Sequence, residues 1–146
     1  MIYFTDTNPD EAASNLCDRH LRKTVRFTQK VFAEAAENRT QHRDPYIRWG
    51  CASLANLKWV VEHGNAAAHE LYYRFHKPVR IEDSLPLIRA REKMDSLALP
   101  PVDPDDIIFP YSVGKVREFY RLEVFPKSRW TRRYPPDWMH PSLLVK

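Results

Sequence analysis

The sequence predicts an all-α protein: a compact single-domain bundle of about four helices, with an irregular basic-aromatic C-terminal tail. Three observations carry this. Apolar residues recur at three- and four-residue spacing along most of the chain, the period of a helix with one buried face. Glycine occurs only at Gly50, Gly64 and Gly114, too sparsely for a protein built on tight hairpins. Asn8-Pro9 and Asp44-Pro45 each pair a capping side chain with a proline suited to a first helical position, and each precedes a long periodic run.

Taken in order, Ile2-Tyr3-Phe4-Thr5 forms either a short strand or an extended arm. From Pro9 to about residue 37 the apolar positions Ala13, Leu16, Cys17, Leu21, Thr24, Val25, Val31, Phe32 and Ala35 keep one helical face, which predicts a single amphipathic helix of roughly 44 Å. A second helix is expected over 45–76, where Leu54, Leu57, Val60, Val61, Ala67, Ala68, Leu71, Tyr72 and Phe75 repeat the pattern. Gly64 lies inside it and is expected to disturb it. Ser84 and Pro86 open a shorter helix over 84–94. Pro100, Pro101, Pro104 and Pro110 make 95–111 an extended connection, too short to announce another domain, so residues 1–146 read as one. Ser112 caps a last helix over 113–125, on which Val113, Val116, Phe119, Tyr120 and Val124 share a face.

Composition excludes several function classes. The three scattered glycines rule out a P-loop or a dinucleotide-binding loop, where backbone must approach phosphate closely. No stretch approaches the ~20 apolar residues that span a bilayer, so no membrane role is expected. The start of the chain lacks the basic and apolar regions of a signal peptide. Cys17 and Cys51 are too few for a disulfide framework or a four-cysteine zinc site, and a reducing cytoplasm is the expected location. Glu62, His69 and His76 share a helix face, but seven-residue spacing holds neighbours ~10 Å apart, too far for one ion. No metal and no cofactor is expected.

The formal charge of +4 matters through its distribution. Arg19, Arg22, Lys23, Arg26 and Lys30 fall on one face of the first long helix. Such a row is either a solvated face paired with acids elsewhere or a stripe that follows phosphates. The tail interleaves Lys127, Arg129, Arg132 and Arg133 with Trp130, Tyr134 and Trp138. Cations that hold phosphates beside rings that stack on bases suit nucleic acid or a nucleotide; the other reading is that Trp130 and Trp138 fold back as core anchors. His20 borders the basic face one turn after Cys17 and is the candidate catalytic residue, with a buried structural cysteine as the alternative reading of the pair.

Two resemblances follow from these residues. Leu16-Cys17-Asp18-Arg19-His20-Leu21, the Trp49, Ser53, Asn56, Trp59 series, Glu70-Leu71-Tyr72-Tyr73-Arg74, and Tyr120 with Arg129-Trp130-Thr131, Arg133 and Pro136-Asp137-Trp138 resemble a family of small phage and giant-virus proteins of uncharacterised activity. More distantly, Asp18, His20-Leu21, Arg26, Lys30 and Val31-Phe32 are similar to the active-site helix of the phage pyrimidine-dimer DNA glycosylase, endonuclease V. That family implies a compact helical domain, DNA as partner, and a role in DNA repair or base modification. It also implies an attacking terminal amine and a glutamate directly after the arginine matched by Arg26; here that position is Phe27. The expectation is a DNA- or nucleotide-binding protein acting through Arg19, Arg22, Lys23, Arg26, Lys30, Arg129, Trp130, Arg132 and Arg133. The alternative is a non-enzymatic helical factor that targets a host protein.

Overall fold

The computed structural model describes residues 2–36, 43–76, 107–123 and 128–139. Five helices are described: α1 (Pro9–Ser14), α2 (Asp18–Ala36), α3 (Pro45–Gly50), α4 (Leu54–Phe75) and α5 (Val113–Glu123), with a 3-10 turn at Asp137–Met139. The described residues contain no strand, so the architecture is an all-α bundle. The helix expected over 84–94 lies outside the described residues, as does the proline-rich connection up to residue 106.

The single helix expected from Pro9 to residue 37 is two helices. Asn8 caps α1, its side-chain oxygen accepting from the Asp10 and Glu11 amides at 2.9 and 3.1 Å. The chain then breaks at Asn15–Cys17 and restarts as α2. No local capping side chain marks the restart. Contacts distant in sequence satisfy the amides there: Cys17 N–H donates to the Tyr120 hydroxyl at 2.9 Å, and Asp18 N–H to the Arg129 carbonyl at 2.8 Å. A three-residue interruption is nearly one helical turn, so the apolar period continues across it and hides it.

The second expected helix is also divided, but not at Gly64. The break is Cys51–Ser53, where Ser53 accepts from the Asn56 amide at 3.1 Å and the Asn56 side chain reaches back to the Trp49 carbonyl at 2.9 Å. α4 then runs unbroken through Gly64. The glycine serves packing there: a Cβ would sit 2.3 Å from Thr28 Oγ1 on α2. Gly50 does the same for α3, with Val31 Cγ1 2.6 Å from the missing Cβ.

α2 and α4 are antiparallel, since Asp18 meets Arg74 while Thr28 meets Gly64 and Val60. Two apolar clusters line the pair. One, around Leu21, Leu71, Tyr120 and Trp130, lies where α2 begins and α4 ends; the other, around Phe27, Val31, Ile47 and Trp59, lies at the opposite end. Residues 2–5 are the extended arm of the two readings and join them: Tyr3 enters the first cluster and Phe4 the second, as neighbouring side chains of extended backbone must. Arg117 on α5 holds the arm, donating to the Thr5 carbonyl at 2.7 Å and to Asp6 at 2.8 Å. No helix among the described residues is long and apolar enough to cross a membrane.

Candidate nucleic-acid interface

α2 buries Leu21, Thr24, Val25, Phe27, Thr28 and Val31 and turns Arg19, Arg22, Lys23, Arg26 and Lys30 to solvent. All five cations are exposed, and none has an ion-pair partner among the described residues. Asp18, the acid nearest Arg22 on the helix, is already engaged: it takes Arg74 Nη1 at 3.0 Å, the Thr131 amide at 3.0 Å and the Thr131 hydroxyl at 2.5 Å. The row runs about 16 Å from Arg19 to Lys30 at 1.5 Å per residue. Within the row the Arg22 guanidinium lies 6.0 Å from the centre of the Phe75 ring on α4.

The structure separates the tail residues into three kinds. Trp130 is a core anchor, 8% exposed, its indole N–H donating to the Asn15 carbonyl at 2.9 Å; its ring is not offered to a base. Arg133 is half-committed to the fold: it grips Glu70 side-on at 2.6 and 3.0 Å, and its guanidinium lies 4.3 Å from the centre of the Tyr73 ring. Arg129 and Arg132 are exposed, and Arg132 donates to His76 Nε2. Arg132 and His76 are also the two non-glycine residues among those described with left-handed backbone, at φ 59° and 51°. His76 ends α4, its amide bonded to the Tyr72 carbonyl at 2.8 Å.

Beneath this surface Arg74 is fully buried between two carboxylates, donating to Glu70 and Asp18 at 3.0 Å each and to the Ser14 carbonyl at 3.0 Å. Burial pushes the Glu70 carboxyl up, but Arg133 and Arg74 outweigh it and the net shift is downward. Glu70 therefore stays ionised and serves as an acceptor, not as a proton donor. Removing one partner of such a buried pair commonly costs about 3–5 kcal/mol, because the other charge is left unpaired. The network fastens the tail to α2 and α4.

His20, the candidate catalytic residue, is buried within that frame. Its Nδ1 lies 2.9 Å from the Tyr120 hydroxyl and 3.3 Å from Cys17 Sγ, and the Tyr3 ring packs 5.0 Å away. The Tyr120 oxygen also accepts from the Cys17 amide, so one hydroxyl joins the start of α2 to the His20 ring. Burial, then Arg19 and Lys23, push the imidazole down to about 4, so it is neutral at neutral pH. The arrangement ties α2 to α5. Both cysteines are buried, and burial lifts the Cys51 thiol to about 11. Phe27, at the position matched to the glycosylase glutamate, is 9% exposed and meets Tyr46 edge-on at 6.4 Å.

No known protein family, curated protein or solved structure matches the chain. Among the described residues no cluster of His, Cys, Asp or Glu is arranged to hold a metal ion. A polar cleft of about 740 Å³ opens between α1 and α4, lined by Asp10, Glu11, Glu62, Asn65, His69 and Tyr73. Glu70 and Arg133 line the same cleft, so the Tyr73–Arg133 stack stands among its acids. Sequence reading missed the exposed aromatic edge of α4: Tyr72, assigned to the apolar face, is 55% exposed, and Tyr73 is 47% exposed. Two adjacent tyrosines on a helix cannot share one face, and that was the available signal.

Proposed function

We propose that the protein binds the phosphate backbone of a nucleic acid through the solvent face of α2. The observation that carries this is the row Arg19, Arg22, Lys23, Arg26 and Lys30, exposed along one face and without ion-pair partners among the described residues. Like charges three and four positions apart each cost the helix a few tenths of a kcal/mol, a cost that a polyanion removes. One nucleic-acid strand carries a charge about every 3.4 Å, so ~16 Å of helix faces about five phosphates. Such contacts position a chain without reading its bases. The reading is one of binding: with Phe27 inside the core, the matched glycosylase acid has no counterpart on this face.

The test is fluorescence anisotropy with a labelled oligonucleotide over a range of salt. Binding should weaken steeply as salt rises, with the log–log slope reporting the phosphates neutralised. Arg22→Glu with Arg26→Glu should weaken binding for every sequence alike and flatten that slope. A slope unchanged by the double reversal would make the row a solvated surface. The second reading, a factor that docks on a host protein, is favoured by exposed Phe119 and Leu122 on α5, 41% and 67% exposed. That contact would bury apolar surface and respond weakly to salt.

A further inference from the structure

Of the two readings of the tail, Trp130 takes that of core anchor, since it lies inside the fold. An aromatic surface exists nevertheless, at the end of α4. Tyr73 is 47% exposed with the Arg133 guanidinium stacked on its ring, and Tyr134, immediately after Arg133, is 94% exposed. Glu70 fixes Arg133 side-on, so the guanidinium plane is held rigidly and not left to sample rotamers. The Tyr73 hydroxyl reaches the Arg132 carbonyl at 3.4 Å, and Arg132 donates to His76. Contacts lead from this surface round the end of α4 toward α2: Tyr73 meets Arg132, Arg132 meets His76, and Arg22 of α2 lies on Phe75, the residue before His76.

We propose that the protein binds single-stranded nucleic acid, with the backbone on the α2 cations and unpaired bases on the Tyr73–Arg133 stack and Tyr134. The inference rests on the phosphate-binding reading and adds the substrate class. In a duplex the faces of interior bases are covered by their neighbours, so rings and guanidinium planes gain nothing from them. A single strand offers those faces freely, and such stacking tolerates any sequence. Charge selects which part of the strand enters. Asp10, Glu11 and Glu62 line the same cleft as Tyr73 and Arg133 and repel phosphate, so an uncharged base, not the backbone, is what this cleft admits.

The experiment titrates the full chain against three labelled probes of about 16 units: oligo-dT, oligo-rU and a DNA duplex. Both single strands should bind more tightly than the duplex. A difference between the first two separates DNA from RNA as the source of the strand. Tyr73→Ala and Tyr134→Ala should each weaken single-strand binding about 5- to 100-fold, the usual loss for one stacked base, and leave duplex affinity unchanged. Tyr73→Phe keeps the ring and should keep the affinity. Tyr134 makes no contact that the fold depends on, so its variant reports binding free of any folding defect. The salt slope should not move, since no phosphate contact is lost. Duplex bound as tightly as single strand, or equal losses on both, would overturn the inference and leave the phosphate-binding reading standing. Failure to bind any of the three would overturn that reading itself.

Discussion

At the scale of single residues, the decisive facts are which side chains the fold has already used. Trp130, His20 and Arg133 carry chemistry that suits nucleic acid, yet the first two are enclosed and the third is bound to Glu70. Arg19, Lys23, Arg26 and Lys30 have no such internal role among the described residues. Phe27 gives the sharpest prediction at this scale. The glycosylase resemblance invites Phe27→Glu as a restoration of the missing acid, but the position is 9% exposed beside Tyr46. A carboxylate placed there lacks a partner and replaces well-packed ring surface. Phe27→Glu should therefore lower stability by about 3 kcal/mol or more, read as a lower urea midpoint, and should yield no borohydride-trapped adduct on ultraviolet-irradiated DNA. A stable variant that traps the adduct would show that the ring faces a substrate site.

At the scale of elements, α2 and α4 touch closely because glycine permits it. The virtual Cβ at Gly64 lies within 2.6 Å of three Thr28 atoms, and Thr28 is itself fixed by a 2.9 Å bond to the Thr24 carbonyl. Gly64→Ala should destabilise by about 1–3 kcal/mol, since a helix must shift to admit one methyl group. Gly114 is the control. It is a helical glycine in the first turn of α5 with nothing within 4 Å of its virtual Cβ, so Gly114→Ala should stabilise by about 0.5–1 kcal/mol through helix propensity. Thermal or urea melts of the two variants check both signs together. The same packing explains why the expected kink at Gly64 is absent: tertiary contact, not local weakness, is the reason for the glycine.

At the scale of the whole molecule, two buried histidines make the fold acid-sensitive. His63 lies under Phe4 and Trp59, and its Nε2 is the buried side-chain polar atom without a partner among the described residues. Burial pushes it down to about 3, as burial with Arg19 and Lys23 pushes His20 to about 4. Unfolded histidine titrates near 6.5. Above that pH both residues are neutral in both states and their contribution to stability is complete. As pH falls from 6.5 toward 4, the unfolded chain takes up two protons that the folded chain refuses, and stability is lost. The unfolding free energy from urea melts should fall across this window, with these two residues contributing a slope that approaches two protons. His63→Phe, which keeps the aromatic contacts, should reduce that slope by about one proton. An unchanged slope would mean that the folded protein protonates His63 without cost.

The sequence by itself determined the helical class, the ends set by Asn8, Asp44 and Ser112, and the row of cations on α2, because capping and 3.6-residue periodicity are local properties. Ser53 and Asn56 also marked a helix start that the continuing apolar pattern concealed. Tertiary structure alone decided the break at Asn15–Cys17, whose caps are Tyr120 and the Arg129 carbonyl, more than a hundred residues away. It also decided which aromatic and basic side chains of the tail face water. A Trp beside an Arg reads the same whether it stacks on a base or fills a core; the difference is set by Asn15 and Glu70, which local sequence does not place beside them.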